Sequence, residues 1–541
     1  GGASAQAPRH QHYERAPQAE PPSATGQLAP RLQNLGAHTF PVTTKSRQAQ
    51  LFVNQGVNLA YGFNHAEAGR AFREAVRLDP ECAMAYWGQA LVLGPNINVP
   101  MSPEDEPKAR ELAQKARTLK PKASPRERAY IDALARRYSG KAEDRKARDQ
   151  DYADAMRDLH RLYRDDLDAA TMYAEALMDL RPWGYWMPDG RPYPGTPDAV
   201  ATLEAVLQRH PRHPGANHYY IHLLEPTKNP ERAEAAADRL LKLMPGAGHM
   251  VHMPSHIFQR VGRYADAAAS NEQAVLADED YIAQCRAQGI YPLGYYPHNI
   301  HFLWWASSME GRSKTAVEAA RKVASKVSDE TMEQLPLLAG FRVVPYYALA
   351  RFGLWDEMLA EPAPADRFLY LKGTWRYARG LALAAKGRTA DAEVELAELR
   401  RTATDPALDY PLFSPNTAAA ILAIAPEVLA GDLAARRKDY DLAVAHLERG
   451  VRLEDGLTYT EPAEWNYPVR QLLGAVLLEA GRAKEAETVY WEDLKRNPEN
   501  GWSLFGLAQA LKAQGRDAAA IEERFRKAWG RGDVTLTASR F

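Results

Sequence analysis

The amino-acid sequence predicts an all-α fold in which pairs of helices stack side by side into a right-handed solenoid. One observation is a long spacing, since the pair His218 and His222 recurs 34 residues later as His252 and His256. A period of this length is typical of a helix–turn–helix repeat. A second observation is that small residues and prolines recur at fixed places along the same period.

The small residues set the register of the repeat. In the first clear repeat, Gly56 and Ala68 occupy positions 8 and 20, where the two helices of a pair approach each other. Phe72 and Ala75 occupy positions 24 and 27, and Pro80 at position 32 follows the second helix. The repeats near the end of the chain show the same pattern at Gly474, Gly481, Ala486, Tyr490 and Pro498.

By these positions the chain resembles tetratricopeptide-repeat (TPR) proteins over most of residues 48–530. The resemblance implies a superhelical domain over residues 41–541 with about ten helix pairs. The segments HYYIHLLE, AGHMVHMPSHIFQRVGRY and YPHNIHFLWWA also resemble a histidine-rich group of bacterial TPR proteins of undefined activity. Ordinary members of the TPR family bind peptides in a groove that uses Asn, Lys and Arg, so the histidines are a departure from that pattern.

Histidine is concentrated in the repeats at residues 214–312. The interval from residue 218 to residue 301 holds seven of the 15 histidines, where about two are expected from the average. They are His218, His222, His249, His252, His256, His298 and His301. In register they occupy positions 2, 5 and 9 of three successive first helices, which share one helical face. Because neighbouring helices pack ~8–10 Å apart, we expect these imidazoles to bind two or three metal ions.

The type of ligand indicates the metal and the chemistry. Imidazole suits copper, zinc and iron, and the order of affinities favours copper. We therefore predict a metal-dependent oxidoreductase, a copper- or iron-dependent oxidase acting on a small molecule or peptide held in the concave cavity. Glu175 and Glu461 are the candidate catalytic carboxylates, and Glu225 is a further possible oxygen ligand. Two alternatives stay open, namely a non-catalytic scaffold that binds peptide or metal and a zinc-dependent hydrolase.

Two insertions rich in aromatic residues and proline interrupt the repeats. Residues 181–198 precede the first histidine repeat, and residues 454–468 precede the last repeats. Loops of this length and composition often cover a site. We expect both to fold over the groove near the histidines.

Composition excludes several classes of partner. The net charge is −1, so no electrostatic footprint for nucleic acid or for an anionic membrane is expected. No membrane span is expected either, because we find no continuous apolar run of about 18 residues.

The start of the chain and its cysteines bear on the compartment. Residues 1–40 are rich in alanine, proline and glutamine and are expected to be disordered. Such a tail often follows a cleaved export signal, so we expect an exported or periplasmic bacterial protein. The two cysteines, Cys82 and Cys285, are expected to be unpaired.

Overall fold

The computed structural model describes residues 26–285 and 294–541 and divides into two compact units. The first unit comprises the described residues up to Ile257 together with Gln273–Tyr296. The second comprises Phe258–Glu272 and Pro297–Phe541.

Both units are helical. Among the described residues, the only β-type pairings are two isolated bridges, Trp186 with Pro192 and Pro411 with Thr417. The predicted all-α fold class is thereby confirmed.

Twelve α-helices precede residue 261 in the described part of the chain. In chain order they are α1 (Arg47–Tyr61), α2 (His65–Leu78), α3 (Ala83–Leu93), α4 (Glu106–Thr118), α5 (Pro125–Ala135), α6 (Arg145–Leu162), α7 (Leu167–Leu180), α8 (Thr196–Arg209), α9 (Pro214–Leu224), α10 (Glu234–Leu240), α11 (Gly248–His252) and α12 (Pro254–Arg260). Helix α1 packs on α2, α2 on α3 and α8 on α9. Helix α9 also contacts α1, which brings the first histidine helix against the first repeat.

The remaining helices belong mostly to the second unit. They are α13 (Tyr264–Cys285), α14 (Tyr296–Met309), α15 (Ser313–Ser325), α16 (Asp329–Gln334), α17 (Ala339–Arg342), α18 (Val344–Arg351), α19 (Trp355–Ala360), α20 (Leu369–Ala385), α21 (Thr389–Ala403), α22 (Ala418–Leu422), α23 (Ile424–Arg436), α24 (Tyr440–Asp455), α25 (Val469–Glu479), α26 (Ala483–Arg496), α27 (Gly501–Ala513) and α28 (Ala519–Ala528). The pairs α20/α21, α23/α24, α25/α26 and α27/α28 pack tightly.

A bulky aromatic side chain packs against glycine in both the first and the last repeats. A Cβ added at Gly56 would lie 2.7 Å from the Phe72 ring. Near the end of the chain Tyr490 lies between two glycines, and a Cβ at Gly474 or Gly506 would lie 2.4 or 2.1 Å from its ring. Position 8 must therefore be small for the aromatic residue at position 24 to fill the space between helices. The glycine at position 8 thus faces the aromatic residue at position 24, as the register predicts.

Helix α5 begins where the sequence predicts a cap. The Ser124 hydroxyl accepts a hydrogen bond from the Glu127 amide, and the Glu127 carboxylate accepts one from the Ser124 amide at 2.8 Å. Pro125 occupies the first helical position, where its missing N–H costs nothing. A cap of this kind contributes about 1 kcal/mol to stability.

The second histidine repeat differs from the uninterrupted first helix that the register predicts. Helix α11 ends at His252, and α12 starts at Pro254. The physical reason is Pro254, which lacks an N–H and whose ring cannot sit against the preceding turn. His249 and His252 therefore belong to one short helix and His256 to the next.

Part of the N-terminal segment that we expect to be disordered is packed. Phe40 is fully buried and stacks on Trp87 at 5.5 Å between ring centroids. The Leu28 amide donates to the Glu74 carboxylate at 2.8 Å. Residues 26–40 thus lie against the first repeats because their few apolar residues find buried positions there, and residues 1–25 lie outside the described residues.

Among the described residues, one stretch is long and apolar enough to cross a membrane. It is Ala418–Arg436, with a mean hydropathy of 1.7, and 72% of it is buried inside the protein. A buried core helix passes the same test, so this is weak evidence for a span. The stretch contains Glu427 and Asp432, so it is not a continuous apolar run, and the expectation of no membrane span stays a prediction.

The structure describes the side chain of only one of the two cysteines. Cys82 is buried and forms no disulfide, and burial raises the pKa of its thiol to about 11. A thiol of this kind stays protonated at neutral pH and is unreactive. The side chain of Cys285 lies outside the described residues.

Candidate metal centre

Helix α9 places the first histidines, and a histidine caps its N-terminus. The Nδ1 atom of His213 accepts a hydrogen bond from the Ala216 amide at 3.1 Å, a role that Ser or Asp usually plays. Gly215 lets the helix approach α1, because an added Cβ would lie 2.5 Å from the Tyr61 ring. His218 follows in the next turn and is fully buried.

Three imidazole nitrogens meet in the interior of the first unit. The Nε2 atoms of His222 and His249 lie 3.1 and 3.2 Å from His218 Nε2. The ligand atoms of all three lie within 4.8 Å of one another. Around a tetrahedral ion with ~2.0–2.1 Å bonds, neighbouring ligand nitrogens lie roughly 3.3 Å apart. We call these three residues the His218 trio.

Oxygen acceptors determine which nitrogen of two trio members carries the proton. His218 Nδ1 lies 2.6 Å from the Tyr61 carbonyl oxygen, which can only accept. His222 Nδ1 lies 2.9 Å from the Glu225 carboxylate. In the neutral imidazoles both Nδ1 atoms therefore donate, and both Nε2 atoms are left with a bare lone pair. This is the arrangement in which metal-ligating histidines are usually held.

Two further histidines of the second histidine repeat lie beside the trio. The Nε2 atoms of His252 and His256 are 2.6 Å apart. His256 Nδ1 lies 3.1 Å from the Glu225 carboxylate, which also binds His222. Glu225 is fully buried and therefore links the trio to this second group, which we call the His252 pair. The trio and the pair together form the histidine cluster.

Burial keeps His218 and His249 of the cluster uncharged. Burial, followed by the neighbouring imidazoles, lowers the pKa of His218 and of His249 well below the ordinary value. A proton on either ring would have to sit among other histidines without water. The nitrogens are thus available as ligands near neutral pH.

An aromatic residue separates the cluster from the first repeat. Phe63, just after α1, has its ring centroid 4.4 Å from that of His218 and 5.7 Å from that of His222. It also stacks on Tyr219 at 5.8 Å. The backbone of Phe63 is left-handed, with φ 62°, so the chain reverses there and directs this ring into the interior.

The insertion at 181–198 reaches the cluster, as predicted. The ring of Trp183 meets that of His222 edge-on at 5.1 Å. Its Nε1–H donates to Asn98, and Asn98 donates to the Tyr295 hydroxyl at 3.2 Å. Tyr295 in turn packs on His249 at 4.7 Å. A hydrogen-bonded shell thus covers one side of the His218 trio.

Glu175 approaches the cluster only through a tyrosine. Its carboxylate accepts a hydrogen bond from the Tyr219 hydroxyl at 2.9 Å, and Tyr219 follows His218 in the chain. Burial raises the pKa of Glu175 above its ordinary value. Together with Arg137 and Asp179 it lines a cavity of about 20 Å³, enough for one water molecule. A carboxyl group whose pKa is raised by burial suits an acid or base, and its catalytic role stays a prediction.

The other predicted site residues lie in the second unit. His301 is buried beside the rings of Phe341 and Phe413, and burial lowers its pKa to about 4. His298 is half-buried on the same helix, α14, and Glu461 lies in the second insertion. The participation of His298 and His301 in one site with the cluster stays a prediction, as does the catalytic role of Glu461.

The insertion at 454–468 lies beside the histidine helix of the second unit. Asn466 accepts a hydrogen bond from the Trp304 indole at 2.8 Å, and Trp304 lies one turn from His301 on α14. Glu464 accepts a hydrogen bond from the Phe413 amide at 3.2 Å, which fixes the loop that packs on His301. This insertion therefore braces α14, in agreement with the expected proximity to the histidines.

Sequence reasoning missed the groups that orient the imidazoles. The Tyr61 carbonyl has no side-chain signal, and Phe63 lies in the turn between α1 and α2, where no contact with a distant histidine is expected from the repeat. Glu225 is present in the sequence prediction only as a possible ligand, whereas it accepts hydrogen bonds from two histidines. Its place three residues after His222, one helical turn along, is the signal that was available.

Comparison with known proteins supplies no activity. No family model and no curated protein matches the chain. A subunit of the Cut9–Hcn1 hetero-tetramer of the APC/C is 14% identical, with 87% of this chain and 78% of that one covered and a TM-score of 0.31. Human IFIT1 with m7Gppp-AAAA is 12% identical, with 84% and 90% covered and a TM-score of 0.33. Yeast Tom70 is 11% identical, with 89% and 91% covered and a TM-score of 0.27. Likenesses at this level carry no inference about ligand or activity.

Proposed function

We propose that the first unit binds two metal ions through the histidine cluster and that the protein is a metal-dependent oxidoreductase. The His218 trio supplies three nitrogens for one ion. The His252 pair, with Nε2 atoms 2.6 Å apart, supplies two nitrogens for the other. Glu225 hydrogen-bonds to one histidine of each group and holds the two groups together.

One observation carries this proposal, the two nitrogens of His218 and His222 that face each other at 3.1 Å. Each ring donates its proton through Nδ1 to an oxygen acceptor, so two bare lone pairs point at the same space. Neutral imidazoles in this orientation repel each other, and burial opposes a shared proton. A metal cation between the nitrogens turns the repulsion into two bonds.

The ligand set favours a redox metal. The cluster offers five imidazoles and no thiolate, and imidazole donors at equal availability bind copper most tightly. Copper or iron can change oxidation state, whereas zinc cannot. Glu225, the carboxylate nearest the ligands, is already bonded to His222 and His256, so it serves as a positioning residue rather than as the free base of a zinc hydrolase. We therefore favour a copper-dependent oxidase, with iron as the next choice.

A second function is favoured by the burial of the ligands. All five histidines of the cluster are at most 3% exposed. A site so enclosed also suits an ion that is stored or that holds helices together without turnover. In that case the protein is a metal-binding scaffold.

The experiment is metal analysis of the full chain after loading with Cu²⁺ and removal of weakly held ions with EDTA. We expect two retained ions in the wild type and an electron paramagnetic resonance spectrum with nitrogen couplings. His218→Ala and His252→Ala should each lose at least one ion. His446→Ala is the matched control, because His446 also hydrogen-bonds to a carboxylate, that of Glu427 at 2.8 Å, and lies far along the chain.

Turnover separates the two functions. An oxidase should consume dioxygen in the presence of an electron donor such as ascorbate, faster than free copper and in a manner that His218→Ala abolishes. A loaded protein that keeps its ions but shows no such consumption with a panel of donors is a scaffold. Retention of both ions by His218→Ala and His252→Ala would overturn the metal centre itself.

A further inference from the structure

A second group of histidines lies in an open cleft of the first unit. The cleft has a volume of about 600 Å³. Its lining includes His38, His210, His213, Asp168, Arg126 and Arg164. We call it the Asp168 cleft. None of its histidines belongs to the histidine cluster, and His38 lies in the N-terminal segment for which the sequence predicts disorder.

Asp168 joins three side chains of the cleft by hydrogen bonds. Its Oδ1 atom accepts a hydrogen bond from the Tyr61 hydroxyl at 2.6 Å. His213 Nε2 and His38 Nε2 each lie 2.9 Å from the same atom. Because His213 Nδ1 accepts the Ala216 amide, its Nε2 must carry the proton and donate to Asp168. Both nitrogens of His213 are therefore used, and His213 is excluded as a metal ligand.

His38 is left in a different state. Its Nε2–H donates to Asp168, so the neutral ring presents a bare Nδ1. Among the described residues, no hydrogen bond is made to His38 Nδ1 or to either ring nitrogen of His210. The His38 side chain is 12% exposed, and His210 is also partly exposed, so water reaches both rings.

We propose that His38 Nδ1 and His210 are ligands of a second metal site, open to solvent, and that Asp168 positions His38. A histidine that donates its other N–H to a carboxylate is the usual form of a metal-ligating imidazole. The ring centroids of His38 and His210 are 6.2 Å apart. Within the His218 trio the corresponding distances run from 4.8 to 6.4 Å, so these two rings lie as close together as rings of the trio do. Water completes the coordination, and a borderline divalent ion such as Zn²⁺ or Cu²⁺ fits two imidazoles.

The carboxylates around the cleft are balanced by arginines. Three carboxylates line it, those of Asp165, Asp166 and Asp168, together with the guanidinium groups of Arg126 and Arg164. Arg126 is held by Asp166 at 2.7 Å, and Arg209 lies 3.1 Å from Asp165. The imidazole nitrogens, and not an excess of negative charge, are therefore the groups that would hold an ion.

The test uses the full chain with its cluster already loaded and titrates Zn²⁺ by isothermal calorimetry. We expect one further Zn²⁺ per chain, bound reversibly and removed by EDTA. His38→Ala and His210→Gln should lose this ion. His446→Ala is a matched control, since the His446 side chain is 14% exposed and also hydrogen-bonds to a carboxylate. Asp168→Asn should weaken the affinity about 10- to 100-fold, as expected for a residue that orients a ligand.

Each outcome of this test either supports the second metal site or overturns it. The ring nitrogens of His210 make no hydrogen bond among the described residues, and its backbone bonds to Val206 and His213 do not depend on the side chain. We therefore expect His210→Gln to keep the fold, and circular dichroism verifies this. Loss of the ion in His210→Gln and His38→Ala with retention in His446→Ala supports the site. No additional Zn²⁺ in the wild type, or unchanged binding in His210→Gln, overturns it. Because the exchangeable ion is assigned by these variants, the result holds whether or not the cluster retains its own ions.

Discussion

Imidazole rings are hydrogen-bonded in the same way in the histidine cluster and in the Asp168 cleft, but the two regions differ in their exposure to water. In each, an oxygen acceptor binds one ring nitrogen and leaves the other bare, the Tyr61 carbonyl for His218 and the Asp168 carboxylate for His38. His218 is fully buried, whereas His38 is partly exposed. The comparison teaches that hydrogen bonding sets which nitrogen is unprotonated, and we expect burial to set how readily an ion bound there would exchange.

Glu225 accepts hydrogen bonds from both groups of the cluster, so its substitution should produce the largest difference in metal affinity between the cluster and the cleft. Glu225→Gln leaves one amide oxygen for two Nδ1–H donors, so one of His222 and His256 loses its orientation. We expect copper affinity of the cluster to fall about 10- to 100-fold, measured by competition with a chelator, with Zn²⁺ binding in the cleft unchanged. An equal loss in both regions would mean that the substitution disturbs the fold and not the orientation of ligands.

Acid should destabilise the metal-free protein through the cluster. Burial lowers the pKa of His218 and His249 in the folded state, so below about pH 6.5 the unfolded chain binds more protons than the folded one. The contribution of these neutral, buried histidines to the free energy of unfolding is present above pH 6.5. It falls as the pH drops below 6.5. With about 1.4 kcal/mol per group per pH unit, we expect a loss of about 2–3 kcal/mol from pH 6.5 to 5.5 in urea unfolding. His249→Leu should make the slope shallower, and an unchanged slope would contradict this assignment.

The close approach of α9 to α1 can be broken at a single glycine. In Gly215→Ala the new Cβ would lie 2.5 Å from the Tyr61 ring, which must move with the carbonyl that holds His218. We expect a loss of about 1–3 kcal/mol in chemical unfolding together with weaker copper binding. Gly69→Ala is the control, because its nearest contact is the flexible end of Arg73 at 3.3 Å. Equal effects of the two substitutions would show that steric contact with the Tyr61 ring does not cause the loss.

The smallest effect is expected where the two regions touch the same residue. Tyr61 donates its hydroxyl to Asp168 and offers its carbonyl to His218. Tyr61→Phe removes the first bond and keeps the second. We expect a stability loss of about 1 kcal/mol and a Zn²⁺ affinity lowered by less than tenfold in the cleft, with copper binding by the cluster unchanged. A loss of copper in this variant would show that the regions are coupled through the side chain.

The sequence by itself determined the repeat and much of its packing. A 34-residue period, glycine at position 8 facing an aromatic at position 24, and the cap at Ser124 are local features, because they depend on neighbours within one or two helices. The pairing of His218 with His222 belongs here as well, since residues four apart always share a helical face. The break before Pro254 has an equally local cause.

Only the tertiary structure decided which groups orient these histidines. The Tyr61 carbonyl and His218 are 157 residues apart, Glu225 and His256 are 31 apart, and His38 and Asp168 are 130 apart. Periodicity states which face of a helix is shared, but not which distant oxygen lies opposite that face. The oxygen that meets each ring depends on how α9 packs against α1, and that contact is made by residues far apart in the chain.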